Sequence, residues 1–400
     1  MKVFIAGIDG YLGWALAQYM TAKGHDVAGA DLMLRREWVE EVGSISAIPV
    51  VSREERIAAF EKQFGKTLDF REGDLCDYEF TTNFLSEFKP DAIIHLGQMP
   101  SAPYSMIDQK HAVWTQINNV TSNMNLLWAM REVTPDAHLV KLGTMGEYGQ
   151  PNIDIAEGFF EVEYRGRKDR LPFPRQPGSF YHLSKVHDSH NTHFATRIWK
   201  LRATDIMQGV VFGTQFEGLG DDPALRTRLD FDQCFGTAIN RFCVQAVVGH
   251  PVTLYGAGTQ ARGFIPLRDA MRCLTLATEN PAEKGEFRVF NQFAEAYSLT
   301  QLAQMTKEVG EELGLPVEIK HYDNPRQELE EHYYQPDREN LVKIGYEPST
   351  DVKSEMRIMM KDLMQHKDRI AEKIDILVPD IRWDGTRRRS QAVEKTPAQH

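Results

Sequence analysis

"KVFIAGIDGYLGWALAQYMTA", Lys2–Ala22, decides the fold. A short apolar run ends in Gly7, further glycines follow at Gly10 and Gly13, and Tyr11–Ala22 reads as a helix. The order is strand, glycine turn, helix. Missing side chains at the turn let the backbone approach a pyrophosphate seated on the helix N-terminus. The next strand-like run, "HDVAGAD" (His25–Asp31), ends in Asp31 about 20 residues on, where a carboxylate can accept from both adenosine ribose hydroxyls. A carboxylate there repels a 2′-phosphate, so the pattern predicts NAD rather than NADP. Arg35 and Arg36 follow closely and keep NADP open. An ordinary turn with a capping aspartate is the bland reading, and the βαβ context outweighs it. "GDLCD" places Asp74 and Leu75 at the end of the third strand, where such folds meet adenine.

Further strand-like runs lie at "TLDFREGD" (Thr67–Asp74), "DAIIHLG" (Asp91–Gly97), "AHLVKLG" (Ala137–Gly143) and "RATDIMQGVVFG" (Arg202–Gly213), with helix-like segments between most of them. Alternation of this kind predicts an α/β, Rossmann-type doubly wound parallel sheet. Residues 37–66 are too long for a simple crossover, and "SREERIAAFEKQFG" within them resembles an amphipathic helix, so an insertion is expected. The reading is a dinucleotide-binding domain over 1–213. A smaller mixed α/β substrate-binding lobe follows over 214–384, with some segments returning to the first domain. Residues 385–400, nearly free of apolar side chains, are expected to form a disordered tail, although its three arginines could bind anions.

At 400 residues the chain exceeds what one core accommodates, which is consistent with one large core and a smaller lobe. Lys plus Arg number 46 against 57 Asp plus Glu, a net charge of −11, which argues against nucleic acid or an anionic membrane as partner. An anionic ligand therefore needs local arginines. Cys76, Cys234, Cys243 and Cys273 form no CxxC pair and no metal-ligand spacing, so free thiols in a reducing compartment and no metal are expected. No apolar run approaches the roughly 20 residues of a membrane span, and no basic-then-apolar leader precedes Lys2. The expectation is cytoplasmic, although a plastid protein without its transit peptide would read the same.

"SFYHLSKVHDSHN" (Ser179–Asn191) carries Tyr181 and Lys185, a Tyr-x-x-x-Lys pair on one helical face. An ammonium beside a phenol lowers the phenol pKa from about 10, helped by a nicotinamide cation. Tyr181 can then take an alcohol proton while hydride leaves the same carbon. An incidental surface pair is the bland alternative, weakened by the dinucleotide turn and by Thr144 at a strand end upstream.

With these motifs the chain resembles the extended short-chain dehydrogenases that act on nucleotide sugars, and within them the branch that joins sulfite to UDP-glucose to give UDP-sulfoquinovose. The resemblance runs from about Met1 to Lys373 and rests on "DGYLGW", "SAPYSMID", "HLVKLGTMGEYGQPNIDI", "SFYHLSKVHDSHN", "FGTAINRFCVQA" with "VGHP", "GEFRVFNQF" and "NPRQELEEHYY". It implies a chemistry. Related 4,6-dehydratases carry an Asp-Glu pair after the threonine, which expels the C6 hydroxyl and removes the C5 proton; Met145 and Gly146 stand there instead. Oxidation at C4 would still acidify C5, loss of water would give a 4-keto-5,6-ene, sulfite would add at C6, and reduction at C4 would restore NAD within one cycle.

By the same resemblance Thr144 bonds the C4 hydroxyl, Tyr181 is the C4 base and later acid, and Lys185 holds the nicotinamide ribose. Glu147 and His182 are the candidates for the C5 proton and C6 hydroxyl, while Met145 shapes the pocket. Glu147 could instead serve backbone amides, and His182 could be a satisfied helix-start residue. Cofactor contacts are expected at Gly7, Asp9, Gly10, Tyr11, Leu12, Gly13, Asp31, Arg35, Arg36, Asp74, Leu75, Leu96, Asn119, Tyr181 and Lys185. Substrate contacts are expected at Ser101, Tyr104, Thr144 and Gln208, with Arg241, Arg262 and Arg326 facing the diphosphate. The family pattern has Glu-Gln-Arg ahead of "SAPYSMID"; this chain has Gln98, Met99 and Pro100, so an arginine is missing. A 5,6-dehydratase, a 4-epimerase or a non-catalytic NAD-binding scaffold are the alternatives. His187, His190 and His193 are read as a surface or dimer face rather than a metal site. The helices spanning His111–Glu132 and Tyr181–Lys200 are expected to pair across a two-fold axis in a homodimer.

Overall fold

The computed structural model describes residues 1–327 and 333–393. Its strands are β1 (Lys2–Ala6), β2 (Asp26–Asp31), β3 (Asp69–Glu72), β4 (Ala92–His95), β5 (His138–Thr144), β6 (Phe159–Tyr164), β7 (Arg167–Pro172), β8 (Arg202–Gln208), β9 (Val210–Phe212), β10 (Val252–Tyr255), β11 (Ala261–Pro266), β12 (Phe287–Gln292), β13 (Glu295–Ser298) and β14 (Ile319–Tyr322). Seven of them make the central sheet in the order β12-β8-β5-β4-β1-β2-β3, with every pairing parallel. The chain order reverses between β1 and β4. In open α/β sheets that switch point opens a crevice at the carboxyl ends of the strands.

Both faces are covered, as a parallel sheet requires. Tyr11–Ala22 and Leu267–Glu279 pack on one side through Trp14, Leu16, Met271 and Leu274. Tyr78–Phe88, Gln109–Val133 and Phe180–Trp199 cover the other through Phe84, Leu126, Met130 and Ala195. No described helix is long and apolar enough to cross a membrane.

Residues 37–66, read as an insertion, pack into the core. They add the helices Leu34–Glu41 and Arg53–Phe64, the second opened by a Ser52–Glu55 capping box. Phe60 packs on Trp14 with ring centroids 6.1 Å apart, and the fully buried Arg56 lays its guanidinium 4.9 Å from the Trp14 ring centroid.

"RATDIMQGVVFG", read as one strand, divides at Gly209. β8 stays in the central sheet, whereas β9 pairs with β11 in the small lobe. Gly209 donates to Gln292 O at 2.7 Å, and a Cβ there would lie 2.7 Å from Gly263 O, so two backbones cross where only glycine fits. The crossing sets Gln208 at the rim of the crevice.

The small lobe is built around β10, β11 and the helices Ala238–Val248, Leu299–Glu312 and Val352–Met364, packed through Phe242, Leu254, Leu302 and Met356. Leu267–Glu279 and β12 return to the large domain, as expected of some segments. Residues 385–393 depart from the expected disordered tail. They run beside β14, where Asp323 N donates to Gln391 O and Val393 N to His321 O. Arg387, Arg388 and Arg389 pair with Asp380, Asp323 and Asp375. Composition misled here because backbone pairing and arginine–aspartate contacts hold the segment in place of an apolar face. Residues 394–400, and 328–332 within "NPRQELEEHYY", lie outside the described residues.

Candidate active site

One cavity of about 720 Å³ lies at the carboxyl ends of β1, β2, β4, β5 and β8 and is roofed by the small lobe. At its cofactor end Gly7 has φ +87°, and a Cβ on Gly13 would sit 2.0 Å from Gly7 O. The turn and the helix start therefore touch, leaving a backbone-lined cradle of the shape a pyrophosphate needs. Tyr11, Leu12, Gly10, Asp74, Leu75 and Leu96 line the same end. Residues present there fit a dinucleotide.

Asp31 lines this end with its carboxylate oriented by two backbone donors, Asp9 N at 2.9 Å and Met33 N at 2.7 Å. Burial, with the neighbouring Asp9 carboxylate, raises its pKa to about 6. Asp9 itself corrects an expectation. Its side chain faces away from the cavity, held by Arg36 at 2.7 Å and Arg56 at 2.8 Å. The Asp9 salt bridge holds Arg36 away from the cavity wall, so the arginine that kept a 2′-phosphate open is committed elsewhere. Arg35 does reach the wall, paired with Asp230 at 2.8 Å and lying 3.9 Å from the Phe235 ring centroid.

Two more expected contacts do not reach the cavity. Asn119 spends its amide on the Met99 backbone and on Ser184, tying Gln109–Val133 to Phe180–Trp199. Tyr104 donates its hydroxyl to Glu41 at 2.6 Å. Ser101 lines the wall and donates to Cys234 O.

At the catalytic end Thr144, Met145, Gly146, Tyr181, His182 and Lys185 share the wall. Lys185 Nζ is held by Leu142 O at 2.8 Å and by Gln98 Oε1, and sits 6.0 Å from the Tyr181 ring centroid. The expected acidified phenol is not found in the chain alone. Burial, then Glu147 and Asp188, push the Tyr181 pKa up rather than down. Lowering it falls to the cofactor cation, which adds positive charge beside the ring.

Glu147 also departs from its catalytic candidacy. It is fully buried outside the cavity wall, accepting from Thr144 N at 3.3 Å, Ser189 Oγ at 2.9 Å and Arg175 Nη1 at 3.2 Å. It closes a capping box with Thr144 and so fixes the turn that presents the threonine. His182 does face the cavity. Its Nδ1 lies 3.1 Å from Ser179 Oγ, and burial with the Arg326 and Arg262 charges pushes its pKa down to about 3. A Cβ on Gly146 would lie 2.3 Å from His182 Nε2. The imidazole occupies the space that a side chain at position 146 would take.

Gln208, Arg241, Arg262 and Arg326 line the far end. Arg241 is buried with its guanidinium 4.7 Å from the Tyr255 ring centroid, and its Nε has no partner among the described residues. Gln208 Oε1 and both polar atoms of Gln260 are likewise unpartnered there. Trp38, Gln98, Gln260 and Trp383 line the cavity and were not singled out from sequence. They come from the insertion, a loop, the small lobe and the C-terminal segment, where no motif spacing announces them.

The NAD dependent epimerase/dehydratase family model matches residues 3–291, and the chain belongs to that family. It is 48% identical over 382 residues to the chloroplastic UDP-sulfoquinovose synthase of Spinacia oleracea, covering 96% of this chain and 79% of that one. It is 46% identical over 384 residues to the UDP-sulfoquinovose synthase of Sulfolobus acidocaldarius, covering 96% and 98%. Among solved structures it resembles the Tyr-to-Phe mutant of Bacillus cereus UDP-glucuronic acid 4-epimerase in complex with NAD and a fluorinated UDP-glucuronic acid. That match has a TM-score of 0.69 and 18% identity, covers 91% and 99% of the two chains, and concerns fold alone. The chain is an NAD-dependent nucleotide-sugar enzyme.

Ribose hydroxyls donate only to the ionised Asp31 carboxylate with full strength. Protonation below about pH 6 weakens that acceptor and discharges it, so NAD affinity should fall as pH drops through this range. Asp31→Asn should weaken NAD binding at neutral pH and flatten the dependence, as read by NAD retained after gel filtration across pH 5 to 8.

Proposed function

We propose that this chain converts UDP-glucose and sulfite to UDP-sulfoquinovose and water. NAD, held by the Gly7–Gly13 turn and Asp31, would supply the hydride acceptor for sugar C4 and the donor that restores it at the end. Tyr181 accepts the C4 hydroxyl proton and Thr144 orients that hydroxyl, both from the same wall of the cavity. The 4-ketone acidifies C5–H. His182 takes that proton and gives it to the C6 hydroxyl, which leaves as water and opens the C5–C6 alkene. Sulfite adds its lone pair to C6, His182, reprotonated from solvent or bisulfite, gives a proton to C5, and Tyr181 returns its proton to the C4 oxygen. The cycle leaves the cofactor as it began.

What carries this reading is the packing of His182 against Gly146. An Asp-Glu pair after Thr144 could not share the space with this imidazole, so one base replaces two carboxyls on the same side of the cavity. The low pKa of His182 in the free chain is partly due to Arg326 and Arg262. A UDP diphosphate on those guanidiniums would cancel their charge and raise the imidazole basicity when substrate is present. Glu147 acts through Thr144 as a positioning residue. Pro100 lines the cavity where the family pattern has an arginine, so that position supplies no cation for sulfite. Identity of 46–48% along nearly the whole chain supports this reaction over a 4-epimerase, a 5,6-dehydratase or a scaffold.

The reading includes a homodimer. Ile117 (60% exposed), Phe194 (56%) and Ile198 (53%) lie on the two long, mutually packed helices Gln109–Val133 and Phe180–Trp199. A second copy of the same helices would cover them. It also includes a cytoplasmic location, supported by four free cysteines. Ile117→Asp combined with Ile198→Asp should halve the mass seen by light scattering at micromolar concentration, and an unchanged mass would contradict the dimer.

Product formed in D₂O should carry deuterium at C5, which a 4-epimerase never labels. Tyr181→Phe should abolish labelling and product together. His182→Ala should still reduce bound NAD transiently while slowing C5 exchange by roughly 10²- to 10⁴-fold. Gly146→Ala, whose methyl displaces the imidazole, should slow exchange in the same way without loss of bound NAD.

A further inference from the structure

Residues 380–393 bind a short stretch of the small lobe that carries Arg326. Asp323 receives Arg382 at 2.8 Å and Arg388 at 2.7 Å, its N donates to Gln391 O at 3.0 Å, and Trp383 N donates to Pro325 O at 2.9 Å. Trp383 does two further things. Its ring lies under the Arg326 guanidinium, 5.2 Å from Cζ to centroid, and its Nε1 donates to Gly178 O at 2.9 Å. Gly178 directly precedes Ser179, the N-cap of the helix that carries Tyr181, His182 and Lys185. Both Trp383 and Arg326 line the cavity.

A lone arginine on a loop has many rotamers, and ordering it on a phosphate costs entropy. An aromatic face beneath the guanidinium removes part of that freedom in advance, and the cation–π contact leaves the N–H edge open to an anion. We propose that Trp383 is a positioning residue for the nucleotide: the face of its ring holds Arg326 ready for the diphosphate. The proposal rests on the reading of Arg326 as a diphosphate ligand.

Calorimetric titration of the full chain with UDP, alongside bound NAD per chain, tests it. Trp383→Ala and Trp383→Leu should raise the Kd for UDP about 5- to 30-fold with NAD content unchanged. Trp383→Phe, which keeps a ring face and loses the N–H, should stay within about threefold of the parent. A merely structural tryptophan would lower NAD content together with UDP affinity, or would not be rescued by phenylalanine, and either result overturns the proposal. An unchanged Kd in Trp383→Leu beside a weakened Arg326→Ala overturns it while sparing the assignment of Arg326. An unchanged Kd in Arg326→Ala removes that assignment and the proposal with it.

Discussion

A buried ionic layer beneath the reacting groups holds this active site together. Lys141 on β5 is fully buried and reaches Asp205 on β8 at 3.1 Å, Ser189 at 3.0 Å and Glu147 at 3.8 Å; Ser189 Oγ lies 2.6 Å from Asp205 and 2.9 Å from Glu147, with one proton to give to either. Burial pulls the Lys141 pKa down, but Asp205, Glu147 and Asp188 outweigh it and the net shift is upward, so the lysine stays charged. Such a layer is costly to desolvate, and removing one member costs about 3–5 kcal/mol because it strands the others. Its value is geometric. It joins the end of β5, the Thr144 turn, β8 and the catalytic helix at fixed distances, and everything that touches the sugar stands on those elements.

The same layer explains the division of labour above it. Glu147 is spent on the layer and lies outside the cavity wall, whereas the half-buried His182 lines it, which is why the proposed reaction gives the proton work at C5 to His182. That imidazole has room because position 146 is glycine. In the proposed reaction this one position would link the absence of the carboxyl pair to the presence of another base. Arg326 and Arg262, proposed to hold the nucleotide, also lower the imidazole pKa, so in the proposed reaction proton transfer would be coupled to substrate binding through charge.

Much of the large domain could be read from its sequence because its signals are local: a glycine turn, an aspartate at a strand end and alternating apolar runs. Tyr181, Lys185, Thr144 and the three lobe arginines all line one cavity as their motifs implied. What escaped depended on contacts between distant segments. Asp9 and Arg36 pair with each other, and Asn119 and Tyr104 turn to the backbone and to Glu41, since spacing says nothing about which polar neighbour wins. The phenol pKa failed because burial and two carboxylates, Glu147 and Asp188, outweigh the lowering by Arg35. The tail failed because its partners, Asp323 and β14, lie about sixty residues upstream.

The closed redox cycle on UDP-glucose is the claim on which the rest stands. Mass spectrometry of UDP-glucose incubated with the purified chain and sulfite, with no cofactor added, addresses it most directly. The account predicts repeated turnover to a UDP-sugar sulfonate, with NAD still bound at the end. UDP-galactose as the product, an alkene that accumulates despite sulfite, or consumption of one NAD per product would contradict it.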